Sequence, residues 1–516
     1  MKNLPLLDIF IIIAYLLAMV LVGVYFSRRN KSADEFTKAA GRIPGWAIGI
    51  SIYATFLSSN TFLGVPGKAF GGNWNAFVFS LSMPLAAWLA TKYFVPFYRS
   101  TGEVSAYTNL EKRFGTWART YAVACFLLTQ LARIGSIFFG ISLTLQALTG
   151  YSMVTIMVVT GICIVIYTVM GGIEAVIWTE VVQGILKTVG ALIIIYLVVK
   201  EVPDGFKEII DVGLSEGKFS LGTLDFDFVN SSFWVVLLYG FFINLNNFGM
   251  DQNYVQRYHT ASSPAEANKS VWLCVWIYVP VSLLFFIIGT CLYTYYLENP
   301  TLLEAIKLQA ASEQSGLTVQ NPEVRELAAT LKPADYGDKI MPHFMVHMIP
   351  TGLLGLIVSA ILSAAMSTIS SGMNASATVF TEDIYKRYFN KKSSDKNSLK
   401  VLYIATVIVG LIGMICGIAM IGVKSLLDVW WTLSGIFAGG MLGLFLLGLI
   451  SKKANNNDAI IGTIVGICVI LWMTFSYLIP EQYGYLKNTL HANMIIVVGT
   501  LVIFLVGNIN RILRKK

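Results

Sequence analysis

The sequence predicts an all-α integral membrane protein of about 13 transmembrane helices, and three observations carry that expectation. Of 516 residues, 56% are hydrophobic and only 13% are charged, where ordinary soluble domains carry about 25% charged residues. Apolar stretches follow one another along the whole chain, most of them close to the roughly 20 residues a helix needs to cross a bilayer. Basic residues fall in alternate connections, as they do where cytoplasmic loops collect Lys and Arg. This composition excludes a soluble enzyme, a DNA-binding module and a secreted disulfide scaffold. The net charge of +8 reads as anchoring at the inner leaflet rather than as a nucleic-acid surface.

In chain order the stretches are 5–27, 45–70, 74–97, 118–147, 152–170, 177–199, 232–255, 270–296, 343–380, 398–421, 425–450, 457–478 and 490–511. The first is too long for a signal-peptide core and has no clear cleavage site, so it reads as a retained helix. Lys2 precedes it, and Arg28, Arg29 and Lys31 follow it, which puts the N-terminus outside. Threading from there places inside Lys38 and Arg42, Lys112 and Arg113, then Lys386, Arg387, Lys391, Lys392 and Lys396. Lys452, Lys453 and the terminal Arg511, Arg514, Lys515 and Lys516 also fall inside, so the C-terminus is expected in the cytoplasm. The acid-rich segment 200–231 and the mixed polar segment 297–342 fall outside, the latter as short helices. All six cysteines lie in apolar runs without CxxC spacing and read as small buried hydrophobes.

Polar groups at membrane depth are costly and point to function. The second stretch holds Ser51, Tyr53, Thr55, Ser58, Ser59, Asn60 and Thr61, then Gly64, Pro66 and Gly67. That density suits a broken helix whose freed backbone groups bind ions and anions; a packed helix with back-bonded serines is the other reading. In the ninth stretch, Ser367, Ser370, Ser371 and Asn374 share one helical face, beside Ser363 and Thr368. Neutral oxygens at this density suit a small hard cation, and small residues also favour close helix packing. Arg133 lies within an apolar run, where its planar fork suits a carboxylate, a buried structural partner, or a snorkelling position. Glu180 opens the sixth stretch, and Lys187 lies seven residues on, on the same face. The carboxylate could ligate a cation, while Lys187 could pair with Glu180, snorkel, or stand in for a bound cation. His343 and His347 have i, i+4 spacing but no evident third ligand. No nucleophile–base pair, P-loop or HExxH motif appears, so nothing points to an enzyme.

Four stretches carry a resemblance: GRIPGWAIGISIYATFLSSNTFLGVPGKAF (41–70), MGGIEAVIWTEVVQG (170–184), DQNYVQRY (251–258) and SAAMSTISSGMNASATVFTEDIYKRY (363–388). In this order they resemble the sodium:solute symporter family, and within it the bacterial sialic acid (N-acetylneuraminate) sodium symporters. The resemblance implies a LeuT-like core of five-plus-five inverted repeats with one extra helix before and two after. Residues 1–44 would then be the first helix and a cytoplasmic loop, 45–199 the first repeat and 200–231 an extracellular loop. Residues 232–450, including the extracellular loop 297–342, would form the second repeat, and 451–516 the two C-terminal helices. It also implies a main sodium site from the carbonyls of Ala54, Leu57 and Ala364 and the hydroxyls of Ser367 and Thr368, which agrees with two oxygen-rich, interrupted spans. A second sodium site maps to Glu180, Ser367, Ser370 and Ser371, with Glu180 standing where the family usually has aspartate. Carboxylate-binding hydroxyls map to Ser58 and Thr61 and the substrate arginine to Arg133. Phe77, Ser80, Asn244 and Asn247 complete the implied substrate contacts. Ser80 replaces a glutamine and Ala76 an aromatic of the sialic acid transporters, while a gating tyrosine of the galactose transporters would fall at Asn247.

The expectation is therefore a secondary active transporter of the cell membrane, not an enzyme, coupling sodium entry to uptake of an acidic sugar, foremost sialic acid. Its partners would be sodium, that small solute and membrane lipid, with no nucleic acid, and it would work as a monomer. Three alternatives stay open: another solute such as a neutral hexose or monocarboxylate, proton coupling through Lys187, or a sensor or channel on a transporter fold.

Overall fold

The computed structural model describes residues 4–27, 32–423 and 425–513. Lys2, Arg28, Arg29, Lys31, Arg514, Lys515 and Lys516, on which part of the expected topology rests, lie outside the described residues, as does the side chain of Arg511. The described chain is helical throughout; its one β feature is an isolated bridge between Ile43 and Ala261.

Among the described residues, ten helices are long and apolar enough to cross a membrane, or eleven with one bent pair. Each of the thirteen expected stretches nevertheless has a helical counterpart. Two of them merge into Met153–Glu201, whose 49 residues would span about 73 Å at 1.5 Å per residue, more than twice a bilayer core. The chain breaks at Gly172, with φ 58° and ψ −166°, a backbone position that only glycine adopts at little cost. Just past the break, Glu174 faces Arg42 at 3.7 Å. Helix Met494–Leu513 is shorter and packs through glycine contacts: a Cβ on Gly439 would lie 3.1 Å from Ile496, and one on Gly443 2.8 Å from Ile503.

The second stretch is the bent pair, Gly45–Phe56 and Ser59–Gly71, turned by 55°. Leu57 is extended (φ −89°, ψ 93°) and Ser58 likewise (φ −100°, ψ 177°). A helix that stops at Phe56 leaves its last carbonyls without intrahelical donors, so the carbonyls of Ala54, Thr55 and Leu57 must find partners elsewhere. The ninth span departs from expectation in two ways. It starts at Leu353, not near 343, because Pro333–Met348 is a separate helix ending before Pro350 and Gly352. It also runs unbroken from Leu353 to Val379, so only one of the two oxygen-rich spans is interrupted there. Several of its hydroxyls bond back one turn, Ser367 and Thr368 both to Ala364 O at 3.3 Å and Ser370 to Ser367 O at 3.2 Å, which helps to keep a polar helix continuous. Nearly every residue of this helix is buried, and it forms the centre of the bundle. Its N-terminus is tied to the first helix, because the buried carboxylate of Asp8 accepts from the amides of Gly352 and Gly355, both at 2.7 Å.

The segment 297–342 holds helices Pro300–Ser315 and Pro322–Thr330 and most of Pro333–Met348. Helix Pro333–Met348 lies against Ser59–Gly71 so closely that a Cβ on Gly67 would come within 2.8 Å of Gly337.

Candidate functional site

Three buried side-chain cations meet the broken helix between Ser51 and Leu57, where they satisfy main-chain and hydroxyl oxygens.

Arg133 projects from helix Thr116–Thr149. Its Nη2 donates to Thr55 O at 2.9 Å and lies 3.5 Å from the Tyr254 hydroxyl. The guanidinium carbon sits 5.6 Å from the centre of the Trp430 ring. Among the described residues these hydrogen bonds use Nη2 alone, although a guanidinium has five N–H donors. The Arg133 side chain lines a cavity of about 80 Å³ that is also bordered by Ser58, Asn60, Thr61, Ser80 and Asn247. Ligand pockets typically run from about 300 to 1,000 Å³, so a sugar-sized solute requires these walls to part. Tyr278, Trp430 and Trp431 add aromatic walls, a composition suited to the faces of a sugar ring. Ser58 N donates to Thr61 Oγ1 at 3.3 Å, which starts the second half-helix at the cavity wall. The Ser80 hydroxyl pairs with that of Ser282 at 2.7 Å.

Two of the expected substrate contacts stand behind this wall. Phe77 packs edge-on against Phe286, ring centres 5.5 Å apart. Asn244 is fully buried and donates to the Ser82 hydroxyl at 3.2 Å and towards Phe79 O at 3.4 Å. Asn247, three residues on, opens into the cavity instead.

The residues of the second expected sodium site are divided. Glu180 is fully buried and ion-paired to Arg257, whose Nη2 lies 2.7 Å from Oε2 and 3.0 Å from Oε1. Ser51 and Ser371 donate to the same carboxylate, and Thr55 Oγ1 does so at 3.2 Å. Arg257 also donates to Ser51 Oγ at 2.8 Å, Ser371 Oγ at 2.7 Å and Thr55 Oγ1 at 3.0 Å. Ser370 bonds back within its helix and Ser367 faces a different cation. Arg257 was absent from the residue set read from sequence. It sits in a wholly buried polar helix, Gln252–Thr260, that composition alone reads as a connection; the quoted DQNYVQRY stretch was the available signal.

That other cation is Lys187. Its Nζ donates to Ala54 O at 2.7 Å, Leu57 O at 2.9 Å and Ser367 Oγ at 2.5 Å, and the residue is fully buried. Ser367 Oγ in turn contacts Ala54 O at 3.1 Å, and Thr368 Oγ1 contacts Thr55 O at 3.3 Å. The carbonyls of Ala54 and Leu57 and the ninth-span hydroxyls thus converge. Lys187 Nζ sits among the oxygens of the break, while the carboxylate of Glu180 pairs with Arg257.

Comparison with known proteins follows the same lines. The profile of the Sodium:solute symporter family matches residues 36–466. The chain is 32% identical to a sodium/sialic acid symporter, NanT, of Aliivibrio fischeri over 95% of this chain and 91% of that one. It is also 32% identical to a sodium/sialic acid symporter, SiaT, of Proteus mirabilis, over 89% of this chain and 88% of that one. A sodium/glucose cotransporter of Vibrio parahaemolyticus is 25% identical over 96% and 90%. Among solved structures, a substrate-bound, outward-open Na+-coupled sialic acid symporter superposes with a TM-score of 0.85 at 31% identity, covering 99% of this chain and 98% of that one. A nucleobase-cation-symport-1 family transporter shares the fold at a TM-score of 0.54 and 13% identity.

Proposed function

Because this chain belongs to the sodium:solute symporter family, a family of membrane transporters rather than enzymes, we propose that it couples sodium entry to uptake of an acidic sugar, foremost sialic acid. The observation that carries the substrate class is Arg133, a buried guanidinium with unspent donors at the wall of a cavity flanked by the Ser58 and Thr61 hydroxyls. A carboxylate accepts from such a fork at two oxygens at once, and the hydroxyls supply further donors. The aromatic walls and the Asn60 and Asn247 amides suit the hydroxyl-bearing remainder of a sugar acid. The sialic acid symporters named above support the same substrate.

The same reading includes a cell-membrane location, with the N-terminus outside and the C-terminus in the cytoplasm, a monomeric working unit, and two inverted repeats over 45–199 and 232–450. Basic residues of three separate connections meet at one end of the bundle, which supports the orientation. Arg387 and Arg119 share Glu111, and Arg113 donates to Ser451 O at 2.8 Å and to Lys452 O. Substrate would bind from the outside at the break, and rocking of helices around it would open the site inward.

The test is uptake into proteoliposomes of the purified protein under an inward sodium gradient, with sialic acid, galactose, proline and pyruvate compared. Saturable, sodium-driven uptake of sialic acid is expected. Saturable uptake of a neutral sugar without sialic acid uptake would overturn the substrate assignment.

A further inference from the structure

The main sodium site that the family resemblance implies falls between the broken helix and the ninth span, and here the Lys187 ammonium stands among its oxygens. We propose that Lys187 is a tethered cation that fills this cradle, so that no free sodium ion binds among Ala54, Leu57 and Ser367. An ammonium has three donors and no acceptor. Those three donors meet three oxygens, at 2.7, 2.9 and 2.5 Å. Two of the acceptors are the carbonyls that the helix break strips of their intrahelical partners. A metal ion held by the same oxygens would sit in direct contact with a like charge, in a fully buried place that bulk solvent does not screen.

The reach of Lys187 follows from its helix. It stands seven residues after Glu180, two turns along the same face. One turn region presents the carboxylate to Arg257, and the other presents the ammonium to the break. Both locations that the family resemblance reserves for sodium are thereby held by side chains of the chain itself. The sodium that drives uptake must then act outside the Lys187 cradle. This inference rests on the transporter reading for its consequence, but it concerns ion binding alone and can be tested without any substrate.

Thermal unfolding of the purified full-length protein, in sodium chloride against choline chloride at equal ionic strength, reads sodium binding through stabilisation of the folded state. In the wild type and in Thr368→Val, the response to sodium should be the same, because the cradle is closed to the ion. Lys187→Ala should gain a saturable, sodium-specific rise in Tm that neither shows, and Lys187→Ala/Thr368→Val should lose that gain, which locates the ion in the vacated cradle. A wild-type sodium response that Thr368→Val abolishes would overturn the proposal. So would a folded Lys187→Ala protein that gains none. Should Lys187→Ala not fold, the comparison of wild type with Thr368→Val decides alone. Absence of sialic acid uptake would leave these outcomes unchanged, so the two readings fail separately.

Discussion

Replacing Arg133 by alanine tests the substrate reading most directly. Arg133 is 9% exposed and lines the cavity, so a bound carboxylate would be held in a largely desolvated place. Truncating one partner of a buried, hydrogen-bonded charge pair costs about 2–5 kcal/mol. At about 1.4 kcal/mol per factor of ten, affinity for sialic acid should fall roughly 30-fold to several-thousandfold. Arg133→Lys keeps the charge but loses the planar fork, and should fall between wild type and Arg133→Ala. Because Arg133 Nη2 also holds Thr55 O at 2.9 Å, part of any loss could come from a disturbed break. Isothermal titration with sialic acid, beside thermal unfolding of the same samples, separates the two effects. An Arg133→Ala protein that is folded and binds sialic acid within about threefold of wild type would refute the carboxylate assignment and favour a neutral solute.

Other expectations follow from the buried charges. Glu180→Gln leaves the 1%-exposed Arg257 without its counter-charge and should cost about 3–5 kcal/mol of stability, with Glu180→Asp costing less; equilibrium unfolding in detergent measures both, and an unaltered Glu180→Gln protein would contradict the pairing. Asp8→Ala removes the cap shared by the Gly352 and Gly355 amides and should lower stability by about 0.5–2 kcal/mol, readable as a drop in Tm. His343 is held by burial, and next by the neighbouring His347, down to about 4 from its usual 6.5. Between those two pH values the unfolded chain takes up a proton that the folded chain refuses, so stability should fall as pH drops through that window. His343→Gln should flatten this part of the pH–stability curve.

The spans were legible because lipid demands long apolar runs, and the broken helix was legible because no lipid-facing helix carries Ser58, Ser59, Asn60 and Thr61 together. Arg133, Glu180 and Lys187 stood out for the same reason: each is a charge where a charge is costly. What the sequence could not supply was partnership. Glu180 and Lys187 share a helix face and invite pairing, yet a residue from a third element, Arg257, takes the carboxylate and releases the ammonium for the break. Helix Gln252–Thr260 escaped notice because its polarity resembles that of a loop, although Gln252, Asn253, Gln256 and Arg257 are all buried. The aromatic cavity wall from Trp430 and Trp431 arrives from a helix far along the chain, and no local pattern announces it. The unbroken ninth span shows the converse limit, since a dense run of hydroxyls is compatible with a continuous helix when several bond back one turn and others pair across helices.

A tethered ammonium changes the energetics of the cycle. A free sodium ion enters from one side and leaves on the other, and in doing so releases the free energy of its gradient. For a tenfold gradient and 100 mV this is about 1.4 plus 2.3 kcal/mol per ion. Lys187 never leaves the protein, so it can order the break and the Ser367 hydroxyl but can draw no energy from either gradient. Each ion withdrawn from the cycle therefore lowers the attainable accumulation of substrate by roughly 400-fold under those conditions. With the Lys187 cradle closed and Arg257 holding the other family position, the driving sodium binds outside both, and no more than a single sodium per sialate is expected. One cation with one monoanion moves no net charge, so uptake by the wild type should not respond to membrane potential at fixed sodium. Proteoliposomes clamped with potassium and valinomycin provide the measurement. Uptake that accelerates as the interior is made negative would require an additional cation, and the Lys187 cradle would be the first place to seek it.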